Sequence, residues 1–152
     1  MHLLIVQGDR LLWSRRCNTG YADGRLGLVA GHLEDGEDVV DAAIREAGEE
    51  VGIRLQRGDL TCVHVMHHRN GHEAGRVGFF FRAQRWDGVL INREPEKCSE
   101  LVWRDWAEVP GDAVPYAAEA VRRITAGESF SVHWVPWMDL ATASWKNGPE
   151  EV

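Results

Sequence analysis

"GHLEDGEDVVDAAIREAGEEVGI", from Gly31 to Ile53, is the stretch whose reading decides the fold. It holds eight carboxylates against one arginine and one histidine. On a helix advancing about 100° per residue, the residues from Asp38 to Val51 divide cleanly. Val40, Ala43, Ile44, Ala47 and Val51 gather on one side, and Asp41, Arg45, Glu46, Glu49 and Glu50 on the other. Val39 is the large apolar residue that falls among the charges. The pattern predicts an amphipathic helix whose apolar stripe packs on a sheet.

Glu46 meets Glu49 and Glu50 at i+3 and i+4, so three carboxylates neighbour one another on one helical face. Each such like-charge pair costs roughly 0.2–0.5 kcal/mol. No lysine relieves the repulsion, and glycines bracket the helix at Gly31, Gly36 and Gly52. A cluster of hard oxygen ligands on a rigid helix is what Mg²⁺ or Mn²⁺ requires. A solvated acidic face has the same spacing, and spacing alone leaves both readings open.

The rest of the chain narrows the class. Its 152 residues suggest one domain, and 44% hydrophobic content is enough for a core. A net charge of -7 argues against gripping a long nucleic-acid backbone. It does not argue against small phosphorylated ligands, because a divalent cation reverses the local sign. Cys17, Cys62 and Cys98 form no CxxC pair, so neither a zinc knuckle nor a disulfide framework is expected, and a reducing, cytoplasmic location fits. No apolar run approaches the length that spans a bilayer, so no membrane partner is expected. "MHLLIVQGDR" reads as a first strand rather than a signal peptide.

Along the chain, "HLLIV" and "RLLWSRR" flank Gly8-Asp9 and predict an opening hairpin. "LGLVAG" is a short strand ending at a glycine. "DLTCVHVMHHR" and "GRVGFFFRAQRW" are two more strands, joined through Asn70-Gly71. "INREPEKCSE" reads as a loop, "LVWRDW" as a final strand, and "VPYAAEAVRRITAGE" as a helix with Pro115 in its first turn and Gly127 near its end. Several strands with two helices make a mixed α/β domain of the α+β kind. The domain is expected over 1–130. A tail over 131–152, with Trp134, Trp137 and Trp145, is expected to be partly packed and frayed at its end.

The stretch resembles the signature of the Nudix hydrolases, Gly-x5-Glu-x7-Arg-Glu-(apolar)-x-Glu-Glu-x-Gly-(apolar). Here Gly31, Glu37, Arg45, Glu46, Ala47, Glu49, Glu50, Gly52 and Ile53 fill every specified position. "TGYADGRLGLVAGHLEDGE" resembles the lead-in of MutT-like members, which more often have proline where this chain has Val29. "NREPEKCSELVWRDWAEVP" resembles the late loop and strand of the branch that includes eukaryotic nucleotide-sanitising diphosphatases and a plant cytosolic relative. Together the likeness spans Leu11 to Pro110. It implies a Nudix fold, a mixed central sheet between helices with a catalytic loop–helix–loop.

The resemblance also implies roles. Glu46, Glu49 and Glu50, with the Gly31 carbonyl, match the family's ligands for Mg²⁺, with Mn²⁺ as a second choice. Arg45 and Glu37 match its bracing ion pair and join Glu46 and Glu49 in the catalytic set. The general base stays open between Glu46 and Glu49 in the box and Glu94, Glu96 and Glu100 in the late loop. Glu100 is also where some members place a further metal ligand. Phe79, Phe81, Asn92 and Trp103 are the candidate substrate contacts. For the phenylalanines, alternation on a strand equally suits a core. His64, His67, His68 and His72 do not read as a zinc site, since His68 and His72 flank a turn rather than share a helix.

The function expected is metal-dependent hydrolysis of a nucleoside diphosphate linked to a group X, a nucleoside triphosphate first, releasing monophosphate and pyrophosphate. Triphosphates with a modified base are included. Other Nudix substrates remain open: nucleotide sugars, dinucleoside polyphosphates and prenyl diphosphates. The reading from a different class is a nucleotide sensor without catalysis. A homodimer is the expected assembly.

Overall fold

The computed structural model describes residues 1–70 and 74–135. The expected turn at Gly71, His72, and the tail beyond Val135 lie outside the described residues.

β1 (His2–Gln7) and β2 (Arg10–Arg16) form the opening hairpin, with Gly8 at φ 62 in its turn, a left-handed conformation natural to glycine. β1 then takes a second neighbour, β6 (Arg76–Ala83), in parallel. β5 (Leu60–Asn70) pairs antiparallel with β6. Short β3 (Leu26–Gly27) and β4 (Val29–Ala30) lie against β2 and β1, and β7 (Cys98–Asp105) runs antiparallel to β2. The sheet is therefore mixed, ordered β3-β2-β1-β6-β5-β8. Its last member, β8 (Phe130–Val135), pairs in parallel with β5. Two expectations change here. "LVWRDW" is not the final strand, and the first residues of the expected tail belong to the sheet. β8 alternates in the inverse sense, with its apolar residues on the open face and its polar ones on the covered face. Phe130, Val132 and Trp134 are exposed, while Ser131 is buried.

Each face of the sheet carries one helix. α1 (Val39–Val51) covers Leu3, Ile5, Phe81 and Ala83 with Ala42, Ala43, Ala47 and Val51. α2 (Pro115–Thr125) covers Leu4, Val6, Trp13, Met66 and Phe80 with Ala117, Ala118, Ala120 and Val121. Alanine stripes let both helix axes approach the sheet closely. Asp38 starts α1 by accepting from the Val40 and Asp41 N–H groups at 2.8 and 3.0 Å. Gly52 ends it at φ 71. Val39, placed among charges by the wheel, packs partly against the α1-side core. At the first turn its side chain leans toward the helix start and clears the charged face.

Candidate active site

Arg45 organises the acidic stretch. Its Nη2 and Nε donate to the two Glu37 oxygens at 2.7 and 3.1 Å. Nη2 also donates to the His32 carbonyl at 3.0 Å, and Nη1 reaches Glu46 at 2.9 Å and Glu49 at 3.0 Å. One guanidinium thus ties the 31–37 loop to the helix, as its planar fork allows and an ammonium would not. The guanidinium holds the Glu37 carboxyl below its ordinary range, with the Glu34 N–H adding to the effect.

Gly31 sits directly over Glu46. A Cβ there would lie 1.7 Å from Glu46 Oε1, so no other residue fits without moving one of them. The Gly31 carbonyl accepts from the Met1 nitrogen at 2.7 Å and keeps a second lone pair. Burial, then the negative charge of Glu46, pushes the Glu50 carboxyl up to about 8, although the Ala30 N–H bonded to it pulls the other way. Burial likewise raises Glu46. The Glu94 carboxylate adds to the repulsion on both.

Among the described residues no three His, Cys, Asp or Glu side chains converge into a closed metal cage. The carboxylates turn to Arg45 and to the Ala30 N–H instead. The donor set nonetheless fits a hard divalent cation that keeps several of its waters: Glu46, Glu49, Glu50 and the Gly31 carbonyl are all oxygen ligands. Negative charge held against its own repulsion, beneath a backbone pressed close at Gly31, is a site short of positive charge.

These carboxylates form one end of a cleft of about 1130 Å³. Its far end is built of rings. His68 stacks on Tyr116 (4.8 Å, 13°), and His2 stacks on Phe80 (4.5 Å, 19°). His2 and His68 are both buried. Burial pushes His68 down to about 4, so its ring is neutral, and pushes the Tyr116 hydroxyl up to about 12. Arg16, Thr19 and Tyr21 form a side wall, in a loop braced by Asp23 through the Thr19 hydroxyl at 2.6 Å.

A model of the NUDIX domain matches residues 1–125. This chain belongs to the NUDIX domain family. It is similar to the MutT NUDIX hydrolase from Burkholderia pseudomallei, at 26% identity and TM-score 0.71 over 80% of this chain and 92% of that one. The MutT protein from Methanosarcina mazei Go1 follows at 19% identity and TM-score 0.70, over 82% and 90%. The E. coli ORF135 protein has 19% identity and TM-score 0.67, over 82% and 86%. The last two support the fold alone. The family makes this protein a Nudix pyrophosphohydrolase with the Nudix mixed-sheet fold.

In this Nudix domain Gly31, Arg45, Glu46, Glu49 and Glu50 come together at the cleft, and Glu37 stands behind Arg45. The other expected residues lie elsewhere. Phe79 and Phe81 point into the α1-side core, and Trp103 packs against it under Arg10. The ring of the "FFF" run on the cleft's side of the sheet is Phe80, since successive strand residues alternate faces. Glu100 sits opposite Arg15 on the β2–β7 ladder and is ion-paired to it, outside the cleft. Asn92 bonds within its own loop, to Cys98 and Glu94. The late-loop carboxylate that does line the cleft is Glu94, paired with Lys97 at 2.8 Å. Sequence reading missed His2, His68 and Tyr116. The sequence placed the first two on strands, but not on which face.

Proposed function

We propose that this Nudix enzyme hydrolyses a nucleoside diphosphate linked to X, with a nucleoside triphosphate, ordinary or base-modified, as the first substrate and nucleoside monophosphate and pyrophosphate as products. The observation supporting this is the continuity of the cleft, which joins the carboxylate cluster to a wall made by His2, His68 and Tyr116. The phosphates lie at the charged end, and the base lies against that aromatic wall.

Glu46, Glu49 and Glu50, with the Gly31 carbonyl, would hold Mg²⁺ or Mn²⁺. When bound, a divalent cation neutralises phosphate charge and makes water a better nucleophile at neutral pH. Arg45 keeps the box carboxylates in place. Glu49 is the open one, its side chain 55% exposed against 14% for Glu46, and we assign it the proton of the attacking water. Glu94 and Lys97 stand at the cleft's edge, where Lys97 meets the outer phosphate. A cytoplasmic location, with three free cysteines, and a homodimer through exposed Phe130, Val132 and Trp134 complete the proposal.

The test is a panel of nucleoside triphosphates, nucleotide sugars, dinucleoside polyphosphates and prenyl diphosphates with Mg²⁺, reading pyrophosphate and phosphate separately. Glu49→Gln and Glu50→Gln should each slow turnover about 1000-fold, several kcal/mol of barrier, with the fold intact by circular dichroism. Wild-type rates in both variants would remove the metal assignment. Tight nucleotide binding without turnover of any diphosphate would favour the sensor.

A further inference from the structure

Asn92 resembles a substrate contact in the sequence, yet both ends of its amide are used inside its own loop. Its Nδ2 donates to the Cys98 carbonyl at 2.6 Å, and its Oδ1 accepts from the Glu94 N–H at 3.1 Å. The second bond closes an Asx turn, a side chain standing in for a backbone turn. The loop is fastened on either side. Ile91 and Arg93 donate their N–H groups to the Val51 and Glu50 carbonyls, each at 3.0 Å, and so run along the end of α1. The Glu94 carbonyl accepts from the Lys97 and Cys98 N–H groups at 2.9 and 2.8 Å. Asn18 and the Cys17 N–H hold the Glu96 and Lys97 carbonyls at 3.0 and 2.8 Å. Between these anchors Asn92 joins the start of the turn to its end. The side chains this turn delivers to the cleft are Glu94 and Lys97.

We propose that Asn92 is a positioning residue for hydrolysis: by bridging the Glu94 N–H and the Cys98 carbonyl, it holds the Glu94 carboxylate and the Lys97 ammonium at the edge of the cleft beside Glu46 and Glu50. This rests on the reading of the cleft as the hydrolytic site. The bridge matters because Glu94 is on a loop, where no helix or strand fixes the backbone. A shift of about 1 Å in a reacting geometry costs up to about 100-fold in rate.

The test is a double-mutant cycle on the full chain: Asn92→Ala, Glu94→Gln and the pair, with Asn92→Asp as the conservative variant. Asn92→Ala should lower kcat about 10- to 100-fold and leave KM nearly unchanged. Asn92→Asp keeps an acceptor for the Glu94 N–H and should recover part of the loss. In the Glu94→Gln background, Asn92→Ala should cost less than about twofold, because both changes remove one effect. Amide hydrogen exchange reads the bridge without turnover, and Asn92→Ala should expose the Glu94 amide, whose N–H loses its acceptor. Unchanged protection there, or losses that multiply independently in the pair, would overturn the proposal. So would a lowered Tm with wild-type kcat, which marks a brace and nothing more. A wild-type chain that turns over no diphosphate would instead overturn the proposed function, and the catalytic part of this inference with it.

Discussion

α1 and α2 lie on opposite faces of one sheet and press alanine stripes onto it, but their charges follow opposite rules. α2 ends in Arg122 and Arg123, cations at the carbonyl end of the helix dipole, paired with Glu119 and Glu128. Its charges support the helix that carries them. α1 has no base in its last turn and ends in Glu49 and Glu50, against the dipole and against each other's neighbours. Arg45 forms the ion pairs of Glu37, Glu46 and Glu49. Capping by Asp38 and Gly52 and burial of the alanine face keep α1 folded despite this. The difference shows where the protein gives up local stability for the carboxylate face that we propose holds a cation.

The sharpest way to break the contrast is Gly31→Ala. The added methyl would stand 1.7 Å from Glu46 Oε1, so either the loop or the carboxylate must leave its place. Turnover should fall about 100-fold or more through that displacement, measured as kcat beside Tm. Wild-type kcat would mean that the close approach of Gly31 and Glu46 has no use.

A smaller effect sharpens the electrostatics. Glu50 is raised from 4.5 to about 8 in the folded protein, so above 4.5 the folded state holds a proton that the unfolded state has released. Its contribution to stability is therefore fully present below 4.5 and lost as pH rises through about 8. Glu37, lowered by Arg45, works in the opposite sense and stabilises the fold above its ordinary range. Without metal, Tm should fall between 4.5 and about 8, and Glu50→Gln should flatten that slope. Added Mg²⁺ should restore Tm most at the alkaline end. An equal slope in the variant would assign the effect elsewhere.

The smallest effect belongs to α2. Arg123→Ala removes exposed, solvent-screened pairs with Glu119 and Glu128 and should leave Tm nearly unchanged, with kcat unchanged in the same assay. A catalytic loss there would show that the two faces are coupled through the sheet.

The sequence by itself determined α1, the glycine that ends it, the three neighbouring carboxylates and the opening hairpin, while the Arg45–Glu37 brace came with the family resemblance. All of these rest on spacings of a few residues, which helix geometry, glycine conformation and turn chemistry convert directly into structure. Tertiary structure alone decided which ring of "FFF" enters which core, that His2, His68 and Tyr116 meet, that Glu94 rather than Glu100 reaches the site, and that β8 extends the sheet. The physical reason is distance along the chain. A strand's open face depends on the register of partners far away in sequence, and a slip of one residue exchanges its two sides. The late loop is likewise placed by Asn18, 78 residues before the carbonyl it holds.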